Sequence, residues 1–307
     1  MGEKYNIRHL SNREIDKVKW DYRVSNSGNG LIYAYSYYLD TMSKNWDALV
    51  LNDYEAIMPL TWNKKYSICY LYQPFLTAQL GVFGNNLTSG IIEAFIKAIP
   101  SHFKYWDFYL NHQNVFPLSS FSFYQRSNFT LNLENTYEEL FKNYRENIKR
   151  NIKKAIQIGC SAEKEFDVEK VVQLAVKQMK DQSKETIDNI NRFRKLYKIL
   201  HEKGMASTYG IFSAQKELLA SAVFFYSHNR AYYILVGNHP NGKTIGASHF
   251  LVDTFIKEHG GKNILLDFEG SDIRNLAFFY SSFGAVEEKF AAIRLNKLPF
   301  YLKWLKK

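Results

Sequence analysis

Cysteine is nearly absent. Cys69 and Cys160, alone in 307 residues, are too few and too far apart for a disulfide framework or a zinc knuckle. The 8 histidines show no His-Glu-x-x-His and no clustering with cysteine, so no metal is expected. A Gly-x-Ser-x-Gly elbow and a Walker loop are both missing, which argues against a serine hydrolase and a P-loop NTPase. The apolar stretches fall well short of the roughly 18 residues of a membrane-spanning helix. Proline is scarce at 6 residues, so rigid linkers are few. Met1 to Leu10 carries mixed charge and no apolar h-region, and Asn6 stands where a myristoylation signal takes Ser or Thr, so a cytoplasmic protein is expected.

What is present is a chain long enough for two domains of roughly 150 residues. Hydrophobic residues make up 46% and charged residues 23%, the balance of a globular protein. Lys and Arg outnumber Asp and Glu by 40 to 30, a net charge of +10 that suits an anionic partner: nucleic acid, an anionic membrane face or a phosphate-rich cofactor. With 23 Phe, 22 Tyr and 5 Trp the interior should be dense.

Strand-like runs occupy 47–72, broken at Asn52-Asp53 and at Asn63-Lys64-Lys65. A Gly-rich stretch then leads into a helix on which Leu87, Ile91, Phe95 and Ala98 recur until Pro100, followed by the strand KYWDFYL. The second half opens on a well-marked helix over 136–159. Thr136-x-x-Glu139 forms a capping box, Tyr137, Leu140, Tyr144, Ile148, Ile152 and Ala155 share one face, and Gly159 is its stop. Helices at 168–179 and 191–200 precede three strands, STYGIFSA, ELLASAVFFYS and RAYYILVG. A Gly-bearing loop, a helix over 247–258, strand NILLDFEG, helix IRNLAFFYSSF and strand VEEKFAAIRL complete the chain. Strand, strand, strand, loop, helix, strand thus runs twice. At an offset of 160, Phe95-Ile96-Lys97 falls on Phe255-Ile256-Lys257 and Asp107-Phe108 on Asp267-Phe268, which points to a duplication.

The loop HPNGKTIGASHF lies between a strand and a helix, so its N–H groups and the helix N-terminus could hold a pyrophosphate. In NILLDFEG a period of two puts Leu265, Asp267 and Glu269 on one face, bringing two carboxylates to the strand exit beside that loop. An amine nucleophile needs a base to free its lone pair, and Glu269 is nearer the exit. Asp267 equally suits a salt bridge within the scaffold, and Tyr280 a core position among Phe278, Phe279 and Phe283. Lys142, Arg145, Lys149 and Lys153, with Arg150 and Lys154 beside them, form a basic stripe that suits either a solvated face or phosphate contact. His249 falls in a polar stripe with Asp253 and Lys257, where an exposed or capping role is expected.

Lys243-Thr244-Ile245-Gly246-Ala247-Ser248 resembles the Arg/Gln-x-x-Gly-x-Gly/Ala loop of GCN5-related N-acetyltransferases (GNAT), with Lys in place of Arg/Gln and Ser at the last small position. Tyr280-x-x-x-Gly284 is similar to the Tyr-x-x-x-Gly-Phe ending of that fold, with Ala285 in place of Phe and Asn275 five residues before the tyrosine where seven is usual. Arg145, Asn147, Ile148, Lys149 and Arg150 match the Arg-x-Asn-Ile-(Arg/Lys)-(Arg/Lys) helix typical of the FemABX-like branch, in which two acetyltransferase-like domains pack in tandem. The resemblance implies an α/β (α+β) chain of two tandem GNAT-like domains, mixed sheets flanked by helices, over 1–135 and 136–307, the second carrying the active site. Where the second half has Lys243-x-x-Gly246 the first has Phe83-x-x-Asn86, so the first domain should shape the acceptor groove. The implied reaction moves an acyl group from acetyl-CoA or another acyl-CoA to a small-molecule or peptide amine. Glu269 and Asp267 supply the base, Tyr280 protonates the thiolate, and residues 243–248 with Asn275 hold the coenzyme. Two alternatives stand beside it: a Fem-type transferase that takes its donor from aminoacyl-tRNA, and a non-catalytic module that keeps the fold.

Overall fold

The computed structural model describes residues 5–114, 121, 123–179, 183–270 and 272–299. The chain divides into two compact units, Met1–Arg126 with Lys289–Lys307, and Ser127–Glu288.

The first unit contains β1 (Ile7–Leu10), α1 (Lys17–Ser25), α2 (Ser36–Met42), β2 (Asn45–Leu51), β3 (Ala56–Lys65), β4 (Ile68–Tyr72), β5 (Phe83–Gly84), α3 (Ser89–Lys97) and β6 (Phe103–Tyr109). The β3–β4 reversal sits at Tyr66 and Ser67, both in the left-handed region, and not at Asn63-Lys64-Lys65 as expected. Lys64 and Lys65 still pair with Cys69 and Ile68, because a two-residue turn with positive φ at both positions matches the twist of the strands. Thr88 caps α3 by accepting the N–H of Ile91. Phe95 and Ile96 of α3 pack into a core with Leu49, Met58, Trp106 and Phe108.

Next along the chain is β7 (Phe123–Asn132), then α4 (Tyr137–Lys142), α5 (Glu146–Gln157), β8 (Ser161–Lys164), α6 (Val168–Gln178), α7 (Lys184–Glu202), β9 (Ala206–Phe212), β10 (Leu218–Ser227) and β11 (Arg230–Asn238). The last elements are α8 (Pro240–Ile245), α9 (Ala247–His259), β12 (Leu265–Asp267), α10 (Arg274–Ser281) and β13 (Val286–Asn296). The capping box of Thr136 and Glu139 forms, but the helix expected over 136–159 is broken in two. Arg145 is extended at the break, and its N–H donates to the carbonyl of Ser282 at 2.9 Å in place of a helical bond. The apolar face survives the break: Leu140, Tyr144, Ile148, Ile152 and Ala155 are all buried.

Both units are built on one pairing plan. In the first, β2, β3 and β4 run antiparallel, α3 carries the chain over to β6 parallel to β4, and β13 pairs antiparallel with β6. In the second, β9, β10 and β11 run antiparallel, α8 and α9 lead to β12 parallel to β11, and β7 pairs antiparallel with β12. The strand after β6 in sequence thus pairs in the second unit, and the last strand returns to the first. The offset of 160 holds in the register: Tyr72 faces Asp107 on β4 and β6, and Tyr232 faces Asp267 on β11 and β12. Phe95 and Phe255, on the crossover helices, are each fully buried.

Candidate functional site

The site lies where two parallel strands part. β11 and β12 pair from Arg230 and Leu265 as far as Tyr232 and Asp267, after which β11 continues to Asn238 without that neighbour. On its other side β11 carries a bulge: Leu235 faces Val223 and Tyr233 faces Phe224, leaving Ile234 as the extra residue. In the opening beyond the last pair is a cavity of about 370 Å³. Tyr233, Val236, Leu276 and Phe279 supply apolar walls, while Lys243, Ser248, His249 and Tyr280 bring polar groups to it. Asn238 and Gln178 complete the lining and are tied together, the Asn238 N–H donating to Gln178 Oε1 at 2.9 Å.

Three of the residues expected from sequence, Lys243, Ser248 and Tyr280, meet at this cavity. The segment that carries the first of them is not an open loop, however, but the short helix α8, because Pro240 sits at its first position and His239 Nδ1 accepts the N–H of Asn241. Thr244 is turned to its own helix, its hydroxyl donating to the Asn241 carbonyl at 2.8 Å and its carbonyl accepting from Lys154 Nζ at 2.9 Å. Ile245 and Ala247 pack into the core of the second unit. Gly246 has φ +83°, and a Cβ there would lie 2.6 Å from the Asn151 carbonyl oxygen. Its smallness is therefore required by α5. The Ser248 hydroxyl donates to Asn238 Oδ1 at 2.5 Å. Asn275 is exposed on α10 and outside the cavity lining.

Asp267 is 2% exposed and fully engaged: Oδ2 accepts from Arg230 at 2.6 Å, and Oδ1 accepts from Asn128 Nδ2 at 2.9 Å and from the Glu269 N–H at 2.8 Å. The Arg230 guanidinium also reaches Glu288. The strand alternation does not extend to Glu269, because β12 ends at Asp267 and Glu269 turns into the left-handed region at φ 66°. That turn, held by Asp267, replaces periodicity as the reason for Glu269's position. Glu269 is half-buried and acts on Tyr280: burial first, and then the Glu269 charge, raise the Tyr280 phenol well above its ordinary range. Tyr280 is also stacked on Phe268 with ring centres 4.5 Å apart. Tyr280 therefore packs its ring in the core and also lines the cavity.

His249, on a stripe that predicts an exposed or capping role, lines the cavity instead, and its Nδ1 is buried without a hydrogen-bond partner. Burial lowers its pKa to about 4, so the ring is neutral at physiological pH. Phe279 meets it edge-on at 5.0 Å. Asp253, next on that stripe, is buried as well and accepts the Tyr137 hydroxyl at 3.0 Å. A polar stripe reads as a solvated face unless the partners that bury it are known, and these come from α4 and α10. Among the basic stripe, Lys142, Arg145, Arg150, Lys153 and Lys154 are exposed as expected. Arg145 lies over the Phe278 ring at 4.7 Å.

Residues 142–262 match the family model of the acetyltransferase (GNAT) domain. No curated protein matches the sequence. Among solved structures, FemX is similar over 97% of this chain and 99% of its own at 13% identity and a TM-score of 0.65. A conserved protein of unknown function from Bacteroides thetaiotaomicron aligns over 94% of this chain and 99% of its own, at 10% identity and a TM-score of 0.60. L-PGS from Bacillus licheniformis aligns over 94% of each chain at 11% identity and a TM-score of 0.52. Residues 142–262 thus match a GNAT domain model, and the fold of the chain is FemX-like.

Proposed function

We propose that this chain transfers an acyl group from an acyl-CoA thioester to an amine acceptor by direct attack. The observation that carries this reading is the convergence of Lys243, Ser248 and Tyr280 on one largely apolar cavity, with Glu269 close enough to act on the tyrosine. Lys243, beside the N-terminus of α9, is suited to the coenzyme's phosphates. Apolar walls from Val236, Leu276 and Phe279 suit an uncharged acyl and thioester segment. Glu269 takes the proton of the attacking ammonium, the free amine attacks the carbonyl carbon, and the C–S bond breaks as the C–N bond forms. Tyr280, protonated at neutral pH, gives its proton to the departing thiolate and is reprotonated by the extra proton that the new amide nitrogen sheds. The bulge at Ile234 interrupts the ladder where a backbone N–H can turn toward the thioester oxygen. Asp267 is a positioning residue in this scheme, since its lone pairs hold the Glu269 turn.

Calorimetry of the full chain with acetyl-CoA and longer acyl-CoAs tests the donor. Binding of an acyl-CoA that Lys243→Gln weakens is expected; no heat with any member of the series would remove the reading. The exposed cations along α5 favour a second reading, in which the donor is aminoacyl-tRNA. Tight binding of charged tRNA at physiological salt, lost on replacing Arg145, Lys149 and Lys153 with Gln, would establish that donor instead.

A further inference from the structure

Away from the cavity, the second unit has a groove of about 520 Å³ between α5 and α9, closed at one end by α4. It shares no lining residue with the cavity, and its volume lies in the roughly 300–1,000 Å³ range of small-molecule sites. Phe141, the buried Ile152 and the half-buried Phe250 form its apolar bottom. At its open edge Ile156 is left 53% exposed, one of the large apolar side chains of the described residues that remain in water. Three lysines, Lys149, Lys153 and Lys257, surround this apolar strip.

The anions facing the groove are mostly occupied. Asp253 is 4% exposed and accepts the Tyr137 hydroxyl, while Glu146 pairs with Lys149 at 3.0 Å. Lys257 Nζ lies 5.6 Å from the centre of the Tyr137 ring. Lys153 makes no ion pair among the described residues. Counting Glu146 with the lining Asp253, three ammonium groups face two carboxylates, so the groove keeps a net positive charge above its apolar strip.

We propose that this groove binds a single-chain anionic amphiphile, an aliphatic chain lying over Phe141, Ile152, Phe250 and Ile156 with a phosphate or carboxylate head between Lys153 and Lys257. An inorganic anion would leave the apolar strip wet, and a neutral chain would leave the Lys153 ammonium without a counter-charge. The site is concave, so a free monomer can reach its bottom, whereas the plane of a bilayer cannot. The proposal is independent of the acyl-transfer reading, since it uses none of that cavity's residues.

The probe is dodecyl phosphate, titrated below its micelle concentration into the full chain by calorimetry, in the absence and presence of acetyl-CoA. Binding near one per chain is expected, undisturbed by acetyl-CoA, with dodecanol and inorganic phosphate each weaker by about ten-fold or more. Ile156→Asp and Lys153→Glu alter exposed side chains; each should keep the wild-type melting temperature and weaken the probe by about ten-fold or more. The assignment is overturned if phosphate alone binds as tightly as dodecyl phosphate, if both variants bind like wild type, or if acetyl-CoA displaces the probe. It is likewise overturned if vesicles of phosphatidylglycerol bind and the monomeric probe does not.

Discussion

Arg230 and Asp267 form an ion pair at 2.6 Å between side chains that are 8% and 2% exposed. The same carboxylate accepts the backbone N–H of Glu269, so a buried charge pair sets the exit of β12. Breaking such a pair from one side leaves an uncompensated buried charge, at a cost of about 3–5 kcal/mol. Asp267→Asn is therefore expected to lower unfolding free energy by about that amount, with Glu288 easing the loss because it retains contact with Arg230. Denaturant unfolding measures it, and a loss under about 1 kcal/mol would show that the pair contributes little.

Glu269→Gln keeps the size of the side chain and removes the proposed base. The acyl-transfer rate at neutral pH should fall by roughly 10² to 10⁴, and the deficit should shrink as pH rises toward the acceptor amine's own pKa. Tyr280→Phe should lower the rate while leaving acyl-CoA affinity near wild type, because the stacking on Phe268 is retained. Rates for Glu269→Gln that follow wild type across the pH range would take Glu269 out of the mechanism.

His249 sets a pH limit on stability. Its folded pKa, lowered to about 4 by burial, lies below the 6.5 of an unperturbed imidazole, so the unfolded chain takes up the proton first as pH falls. The ring's contribution is fully present above about pH 6.5 and is lost progressively down to about pH 4. Up to about 3 kcal/mol is involved. His249→Gln should flatten the fall in stability between pH 7 and pH 4.5 by about 2–3 kcal/mol. Unfolding curves of the two proteins at both pH values decide it, and parallel losses would mean the imidazole is not held neutral.

Gly246 and Lys243 separate the scaffold of the site from its charge. A side chain at Gly246 meets both a left-handed φ of +83° and the Asn151 carbonyl at 2.6 Å, so Gly246→Ala should cost more than about 1 kcal/mol of stability. Lys243→Gln, at an exposed position, should leave the melting temperature unchanged and weaken acyl-CoA by about ten-fold, with a shallower salt dependence. Wild-type affinity in Lys243→Gln would remove that lysine from the coenzyme site.

Local pattern alone determined the elements with strong signals. The capping box of Thr136 and Glu139, the left-handed stop at Gly159, the three strands from 206 to 238 and the 160-residue register are all present in the fold. Lys243, Ser248 and Tyr280, singled out by residue type and spacing, do come together at one cavity. What the chain could not display locally was decided by contacts distant in sequence. The Ser282 carbonyl breaks the helix at Arg145, the Asn151 carbonyl demands Gly246, Arg230 holds the Asp267 carboxylate in a buried ion pair, and Phe279 encloses His249. Periodicity reports which face of an element is apolar, whereas the charge state and exposure of a polar side chain depend on which other element packs against it.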